Sequence, residues 1–477
     1  QRIMGIIATV KRWIGMIFRK QAEKDFRVKD IASAQMLTKI SEWANIYQGT
    51  PYWLDAEERI KTINFAKSVC SETARLVMLG IKIQVSGGER GKWLQEQIDK
   101  AYYNLRDWVE YGCAYGTIII KPTDDGFDFV SPLNFMVTET DGNNNITGIV
   151  FRETYEENDK YYTRLEYHNF VAEHEDGKTV YPYYIENKTY VSKNSSSIGD
   201  PIAITDTRWA HLAPIERIIK DNNERLDSSM FGVFRTPGAN NIDLASPLGM
   251  PVFASAIEEM KDLDIAYSRN AGEVYDSEKI ILADDRLMYD SGKSLNGRVA
   301  DVKMPHYVKN VFGNSPEEFY QEINPQLNTD TRLSGINALL SQIGYKCGFS
   351  NGYFVFNESS GIQTATGVEA EQQRTIQFIK DVRDKLESCL NDAIYAMSVY
   401  ADGYGLAPKG NYDVVYSFGD ITYNFDEDRA RAYQLTLQGF YTKEYYLEKY
   451  EGFTPEEAAA MVTAAQPKEE PGFFQEE

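Results

Sequence analysis

Residues 249–276 read GMPVFASAIEEMKDLDIAYSRNAGEVYD, and the pattern of this stretch decides how the rest of the chain is organised. Phe253, Ile257, Met260, Asp264 and Tyr267 recur at intervals of three and four, the spacing of one helix face, yet a charge returns on nearly every turn. The spacing predicts a helix from Met250 to about Asp276 that is not buried all round; at about 1.5 Å per residue it reaches about 40 Å. A second helix is expected from roughly Gln326 to Phe349, with Leu333, Ile336, Leu340 and Ile343 in register. Between the two stalks lies a compact insertion, 279–324. Within it KIILADDRLMY and RVADVKM have strand character, whereas SPEEFYQEI offers Ser315 as N-cap, Pro316 at the first helical position and Glu318 closing a capping box, which predicts a short helix.

Working outward, residues 31–110 read as helices, most clearly DAEERIKTINFAKSVCSETARLVM (55–78) and GKWLQEQIDKAYYNLRDWVEYG (91–112). The period then changes. From TIIIKP (117–122) to YVS (190–192), β-branched and aromatic runs alternate with the turn signals DDG, DGNNN and EDG, which predicts an antiparallel meander; KYYTRLEYHNF (160–170) has two unlike faces. After the second stalk, FNESSGIQTATGVEAEQQRT (356–375) passes from a small polar loop into a helix, with Thr366 and Glu369 as a further capping box. Ile376, Ile379, Arg383, Leu386, Leu390, Ala393, Met397 and Tyr400 continue that helix for roughly 50 Å in all. ADGYG (401–405) ends it, before two short strands, YDVVYSF and ITYNF, a helical tail and the acidic, disorder-prone QPKEEPGFFQEE. No internal repeat is apparent.

The chain of 477 residues is long enough for about two to four domains, and its 43% hydrophobic and 25% charged residues are ordinary for a folded protein. Its 32 tyrosines suit extensive half-buried surface, subunit contacts included. The net charge of −21 has the wrong sign for a protein that clamps DNA by releasing counterions. Cys70, Cys113, Cys347 and Cys389 form no CxxC pair, and His168, His174, His211 and His306 are equally scattered, so reduced intracellular thiols and no zinc site are expected. At the N-terminus, IMGIIATVKRWIGMIFRK (3–20) is interrupted at Lys11 and Arg12 and is too short to span a bilayer. As a helix it is amphipathic, with Ile3, Ile6, Ile7, Val10, Trp13, Ile14 and Ile17 on one side and Arg12, Arg19 and Lys20 off it. Docking on a neighbouring protein is the expected use, ahead of membrane-surface binding.

Catalytic motifs fail one by one. Gly292-Lys293-Ser294 resembles the end of a phosphate-binding loop, but Leu287 stands where its first glycine is needed; after the Gly361–Gly367 stretch, Val368 stands where the lysine is needed. His174-Glu175 is no HExxH, Asp284 and Asp285 point to opposite faces if they lie on a strand, and no GxSxG occurs.

Two long pieces, MFGVFRTPGANNIDLASPLGMPVFASAIEEMKDLDIAYSRN (230–270) and GIQTATGVEAEQQRTIQFIKDVRDKLESCLNDAIYAM (361–397), resemble portal proteins of tailed double-stranded-DNA bacteriophages, of the type found in long-tailed phages of Gram-positive hosts. YGCAYGTIIIKPTDDGFDFVSPLNF (111–135) and the KYYTRLEYH meander support the resemblance, which covers most of the chain. It implies an α+β portal fold, mainly helical with an antiparallel β wing region, a two-helix stem, a small α/β clip insertion and a short helical C-terminal crown. The implied divisions are an N-terminal amphipathic arm (1–30), wing (31–249), first stem helix (250–277), clip (278–325), second stem helix (326–350), tunnel loop (351–366), long wing helix and strands (367–430), and crown with tail (431–477).

The resemblance also implies a ring of about twelve copies at one capsid vertex, forming the channel for packaging and ejection of DNA, with no enzymatic activity and no cofactor. Its implied partners are the major capsid protein, the terminase large subunit, the head-completion adaptor and double-stranded DNA that passes without sequence specificity, with no membrane. Its implied location is the head–tail vertex of the virion, and the host cytoplasm during assembly. On this reading Asn357, Glu358, Ser359, Ser360, Gln363 and Thr364 form polar rings facing DNA. Lys261, Arg269 and Lys346 line the channel or pair between subunits, and pairing is the choice that alternating charge on an exposed helix favours. Asp284, Asp285, Arg286, Lys293 and Arg298 of the clip contact the terminase and adaptor. Two rival readings are a metal-dependent nuclease using Asp/Glu clusters, and a peripheral membrane or capsid-associated protein, for which the N-terminal segment is the only motive.

Overall fold

Switches between the helical and strand periods set the order of elements, and long-range pairing then sorts the strands into separate sheets. The computed structural model describes residues 15, 17–54, 60–175, 177–220, 223–276, 280–283, 308–310, 320–323, 328–355, 365–419, 432–438, 440–450, 458–459 and 461–462. The chain forms two compact units, Gln1–Ser417 and Phe418–Glu477.

In the first unit, helix α1 (residues 17–26) lays Phe18 and Ala22, both wholly buried, into a core with Met136, Val150, Leu165, Tyr167, Tyr190 and Ile198. The end of the N-terminal segment thus packs on the chain's own sheet; residues 1–14 and 16 of it lie outside the described residues. Arg19 lies off the apolar face as expected, but it is not simply solvated: it pairs with Asp30 and donates to the Pro132 and Phe135 carbonyls at 3.1 and 2.8 Å.

Helix α2 (Ala34–Tyr47) begins at Ser33, whose Oγ accepts the Met36 N–H at 3.2 Å. Helix α3 (Phe65–Val77) starts well inside the stretch read as helical from 55. Residues 60–64 are not helical, Asn64 has φ +50°, and 55–59 lie outside the described residues. Strand β1 (Lys82–Ser86) then interrupts what the sequence reads as continuous helix, before α4 (Gly88–Tyr115).

The predicted meander splits into distinct sheets. Strands β2 (Thr117–Thr123) and β3 (Gly126–Val130) belong to one sheet, and β4 (Phe135–Thr140), β5 (Ile146–Glu157) and β6 (Lys160–Phe170) to another. The β5–β6 hairpin turns at Asn158 and Asp159, both at positive φ, the geometry that matches strand twist in a two-residue turn. Strands β7 (Glu173–Glu175) and β8 (Lys178–Val180) pair with each other as a separate two-stranded sheet. The six-stranded sheet is completed by β9 (Tyr183–Ser192), β10 (Asp200–Ile202) and β11 (Ile215–Ile218), in the order β10-β9-β6-β5-β4 with β11 also on β9. Strand β12 (Gly232–Arg235) joins the smaller sheet as β12-β2-β3.

Helix α5 (Ile257–Asp276) follows a 3-10 turn at Ala254–Ala256, so the helix proper begins seven residues after Met250. Beyond it β13 (Ile280–Ala283), β14 (Val308–Asn310) and β15 (Tyr320–Ile323) form a three-stranded sheet. Of the helix expected in SPEEFYQEI, residues 315–319 lie outside the described residues, and Tyr320–Ile323 is instead a strand in antiparallel register with Ile280–Ala283, where cross-strand pairing wins. Helix α6 (Thr329–Lys346) is the second stalk, and α7 (Ala365–Tyr404) runs 40 residues. Thr366 lies inside its first turn rather than at its cap, and ADGYG stays helical up to Tyr404, leaving only Gly405 beyond the helix.

Helix α7 packs on β12 and β2, and the close approach depends on glycine: a Cβ on Gly232 would lie 2.0 Å from the Cys389 carbonyl oxygen. Strand β16 (Asp413–Ser417) returns to pair with β1, Lys82 opposite Ser417. All four cysteines are buried free thiols. Among the described residues no helix is long and apolar enough to cross a membrane.

In the second unit the described helices are α8 (residues 432–437) and α9 (Lys443–Tyr450), with the Tyr433 and Tyr446 rings 5.7 Å apart. The strand read at ITYNF (421–425) and the acidic tail lie outside the described residues.

Candidate functional site

The two stalk helices pair within one chain. Met260 and Leu263 of α5 and Leu340 and Ile343 of α6 are buried, and polar contacts bind both ends of the pair. Lys346, near the end of α6, forms an ion pair with Glu259 in the first turn of α5, and Gln342 Nε2 donates to Glu259 Oε1 at 3.3 Å. At the opposite end Arg332 pairs with Glu273, whose Oε1 accepts the Asn328 N–H at 3.2 Å. The end of one helix thus meets the start of the other, an antiparallel arrangement. Of the three stalk charges singled out in the sequence, Lys346 is engaged by Glu259, Lys261 stands 3.9 Å from Glu258 one turn back, and Arg269 is exposed with no ion-pair partner among the described residues.

Helix α5 is also held by the segment before α3. Asp264 is 2% exposed; its Oδ2 accepts the Trp53 Nε1–H at 2.9 Å and its Oδ1 the Ile63 N–H at 3.0 Å. Burial raises the Asp264 carboxyl above its usual range, against the donors Trp53, Ile63 and Thr62. Ser268 Oγ, one turn on, accepts the Lys61 N–H at 2.9 Å. An acid recurring on an apolar stripe was the visible signal in the sequence; its partners were not visible.

The polar loop after α6 leaves from a fixed base. Gly348, at φ +94°, ends α6, and the Phe349 N–H reaches back to the Gly344 carbonyl at 2.9 Å, the bond that closes a left-handed helix stop. A side chain at 348 would also collide with the Phe378 ring of α7, 2.6 Å away. Phe349 is wholly buried, with ring centroids 4.8 Å from Phe354 and 5.8 Å from Phe378.

Ser350 and Thr375 are both buried and bond reciprocally: the Ser350 N–H donates to Thr375 Oγ1 at 2.8 Å, and the Thr375 N–H to Ser350 Oγ at 3.4 Å. Arg374 stacks over the Tyr345 ring, 3.9 Å from its centroid, and donates to the Tyr345 carbonyl at 2.9 Å. The end of α6 and the early part of α7 are thereby locked together on either side of residues 356–364. Nothing in the sequence marked Ser350 and Thr375 as partners. The candidate loop residues Asn357, Glu358, Ser359, Ser360, Gln363 and Thr364, and the insertion residues Asp284, Asp285, Arg286, Lys293 and Arg298, lie outside the described residues.

With this geometry in hand, the sequence profile of the family described as "Phage portal protein, SPP1 Gp6-like" matches residues 32–470, nearly the whole chain. The chain belongs to the phage portal protein family. No curated protein matches it. Portal proteins are bacteriophage proteins of genome packaging, and the family is structural rather than enzymatic, which removes the motive for reading the scattered Asp/Glu pairs as a nuclease centre. Among the described residues no three His, Cys, Asp or Glu side chains are grouped to hold a metal ion.

Proposed function

We propose that copies of this chain close into a ring of about twelve at one capsid vertex, and that the ring is the channel through which double-stranded DNA enters and leaves the head. The observation that carries this reading is the family match over residues 32–470. The antiparallel α5–α6 pair is then the stem, the three-stranded sheet between its helices belongs to the clip, the other sheets and α7 to the wing, and residues 431–477 to the crown. The clip is the surface offered in turn to the terminase large subunit and the head-completion adaptor, through Asp284, Asp285, Arg286, Lys293 and Arg298. The major capsid protein surrounds the ring.

Residues 351–366 carry the tunnel loop, with Asn357, Glu358, Ser359, Ser360, Gln363 and Thr364 facing the DNA. Their amides, hydroxyls and single carboxylate touch phosphates in passing, and a chain of net charge −21, repeated around a ring, offers DNA few deep wells in which to stick. Two rigid roots suit such a loop, because a thrust on it is passed to α6 and α7 together. Replacing residues 357–363 by a shorter linker is expected to leave ring assembly intact and to reduce packaged DNA severely, measured as nuclease-protected genome per assembled head. Normal packaging by that variant would overturn the role given to the loop.

A further inference from the structure

Away from the stem, a row of buried polar groups joins the six-stranded sheet to the segment that leads into β12. His168 on β6 is 2% exposed. Its Nε2 lies 2.9 Å from Glu166 Oε1, and its Nδ1 lies 3.1 Å from the Tyr183 hydroxyl on β9. That hydroxyl also accepts the Met230 N–H at 3.2 Å. Tyr183 and Met230 then share a core cluster with Leu226 and with Ala396 of α7, so the row ends where the sheet meets α7.

These contacts fix the protons. Glu166 also receives Lys121 from β2 and Arg164 from its own strand, and stays ionised, so it only accepts; the proton of the imidazole must sit on Nε2. Nδ1 is then bare and takes the hydroxyl proton of Tyr183, whose oxygen is free to accept from Met230. The neutral ring satisfies every group in the row. A second proton, on Nδ1, would turn the Tyr183 hydroxyl away from the ring and add a further positive charge beside Lys121 and Arg164 at a site without solvent.

We infer that His168 is an acid-sensitive latch, which holds residues 226–231 to the sheet while its ring is neutral and releases them when the ring is protonated. The groups around it fit that role. Glu166 and Arg164 come from β6 itself, Lys121 from β2, Tyr183 from β9, and Glu153 of β5 stands beyond Arg164, to which it is bonded at 2.8 Å. Phe151 of β5 and Phe231 cover the ring, their centroids 5.2 and 6.1 Å away, and keep water out. Burial holds the imidazole below the usual histidine range, with Glu166 opposing and the positive charges of Lys121 and Arg164 assisting.

Hydrogen exchange of the intact chain reads the latch directly, as the protection of a peptide spanning 226–231 at pH 7.5 and 5.5 after correction for intrinsic rates. If opening frees His168 to titrate near its ordinary pKa of about 6.5, the open fraction rises by up to about tenfold between the two pH values. His168→Gln keeps a donor and an acceptor but does not titrate, so its protection is expected to be the same at both. Tyr183→Phe lacks the hydroxyl and is expected to exchange fast at both. An unchanged wild-type peptide would overturn the latch, as would a tenfold rise that persists in either variant.

Discussion

Glu166→Gln is expected to lower the free energy of unfolding by about 3–5 kcal/mol, because it removes the negative charge that, among the described residues, alone pairs with both Lys121 and Arg164 at a buried site. Lys121, Arg164 and Glu166 are 6%, 7% and 9% exposed, so solvent does little to screen the charges left behind. Glu153 cannot compensate fully, since it reaches Arg164 but forms no ion pair with Lys121 among the described contacts. The ion pair spans two sheets, Lys121 coming from β2 and Glu166 from β6, so the loss falls on the joint between them. Denaturant unfolding followed by tryptophan fluorescence, at one fixed protein concentration, measures it; a variant within about 1 kcal/mol of wild type would contradict the expectation.

The same carboxylate sets a pH dependence. Burial alone would raise Glu166, but Arg164, Lys121 and the bond from His168 outweigh burial and hold it well below the usual carboxylate range. A group whose folded pKa is depressed binds fewer protons folded than unfolded. Its stabilisation is complete above the unfolded value of about 4.3 and is lost as pH falls through the folded one. Wild type should therefore lose stability more steeply than Glu166→Gln below about pH 4.

Arg383→Met should cost about 3 kcal/mol by the same denaturation measurement. Arg383 is 6% exposed; its guanidinium donates to the Val77, Leu76 and Leu79 carbonyls at 3.1, 2.9 and 3.3 Å, so one cation of α7 serves the C-terminal end of α3. Methionine keeps most of the volume and strands the carbonyls. Arg383→Lys should recover only part of the loss, since an ammonium does not reproduce the planar fork. Equal stability of the methionine variant and wild type would show that water replaces the guanidinium at no cost.

Arg383 also shows what a single sequence does and does not give away. It falls in the stripe Ile376, Ile379, Arg383, Leu386, where an arginine among apolar neighbours signals a buried partner without naming it. Long helices such as α4, α6 and α7 were legible because many residues vote for one period. Strand β1, five residues between helices, was not: its partner Asp413–Ser417 lies at the far end of the first unit, and its alternation is too short to stand out. Tyr320–Ile323 was misread because a capping box is local whereas the strand that captures it is some forty residues upstream. Residues 3–20 were read as docking on a neighbour, and the contact of their last turn with the chain's own sheet was not foreseen, because amphipathy specifies a face and not what covers it. The Ser350–Thr375 and Trp53–Asp264 contacts were invisible for a related reason, since polar pairs across a fold leave no periodic trace.

The ring is tested most directly by mass photometry of the purified chain together with negative-stain imaging. Particles of about twelve 54.4 kDa subunits with a central hole are the predicted result. A monodisperse monomer at every salt and protein concentration would contradict it.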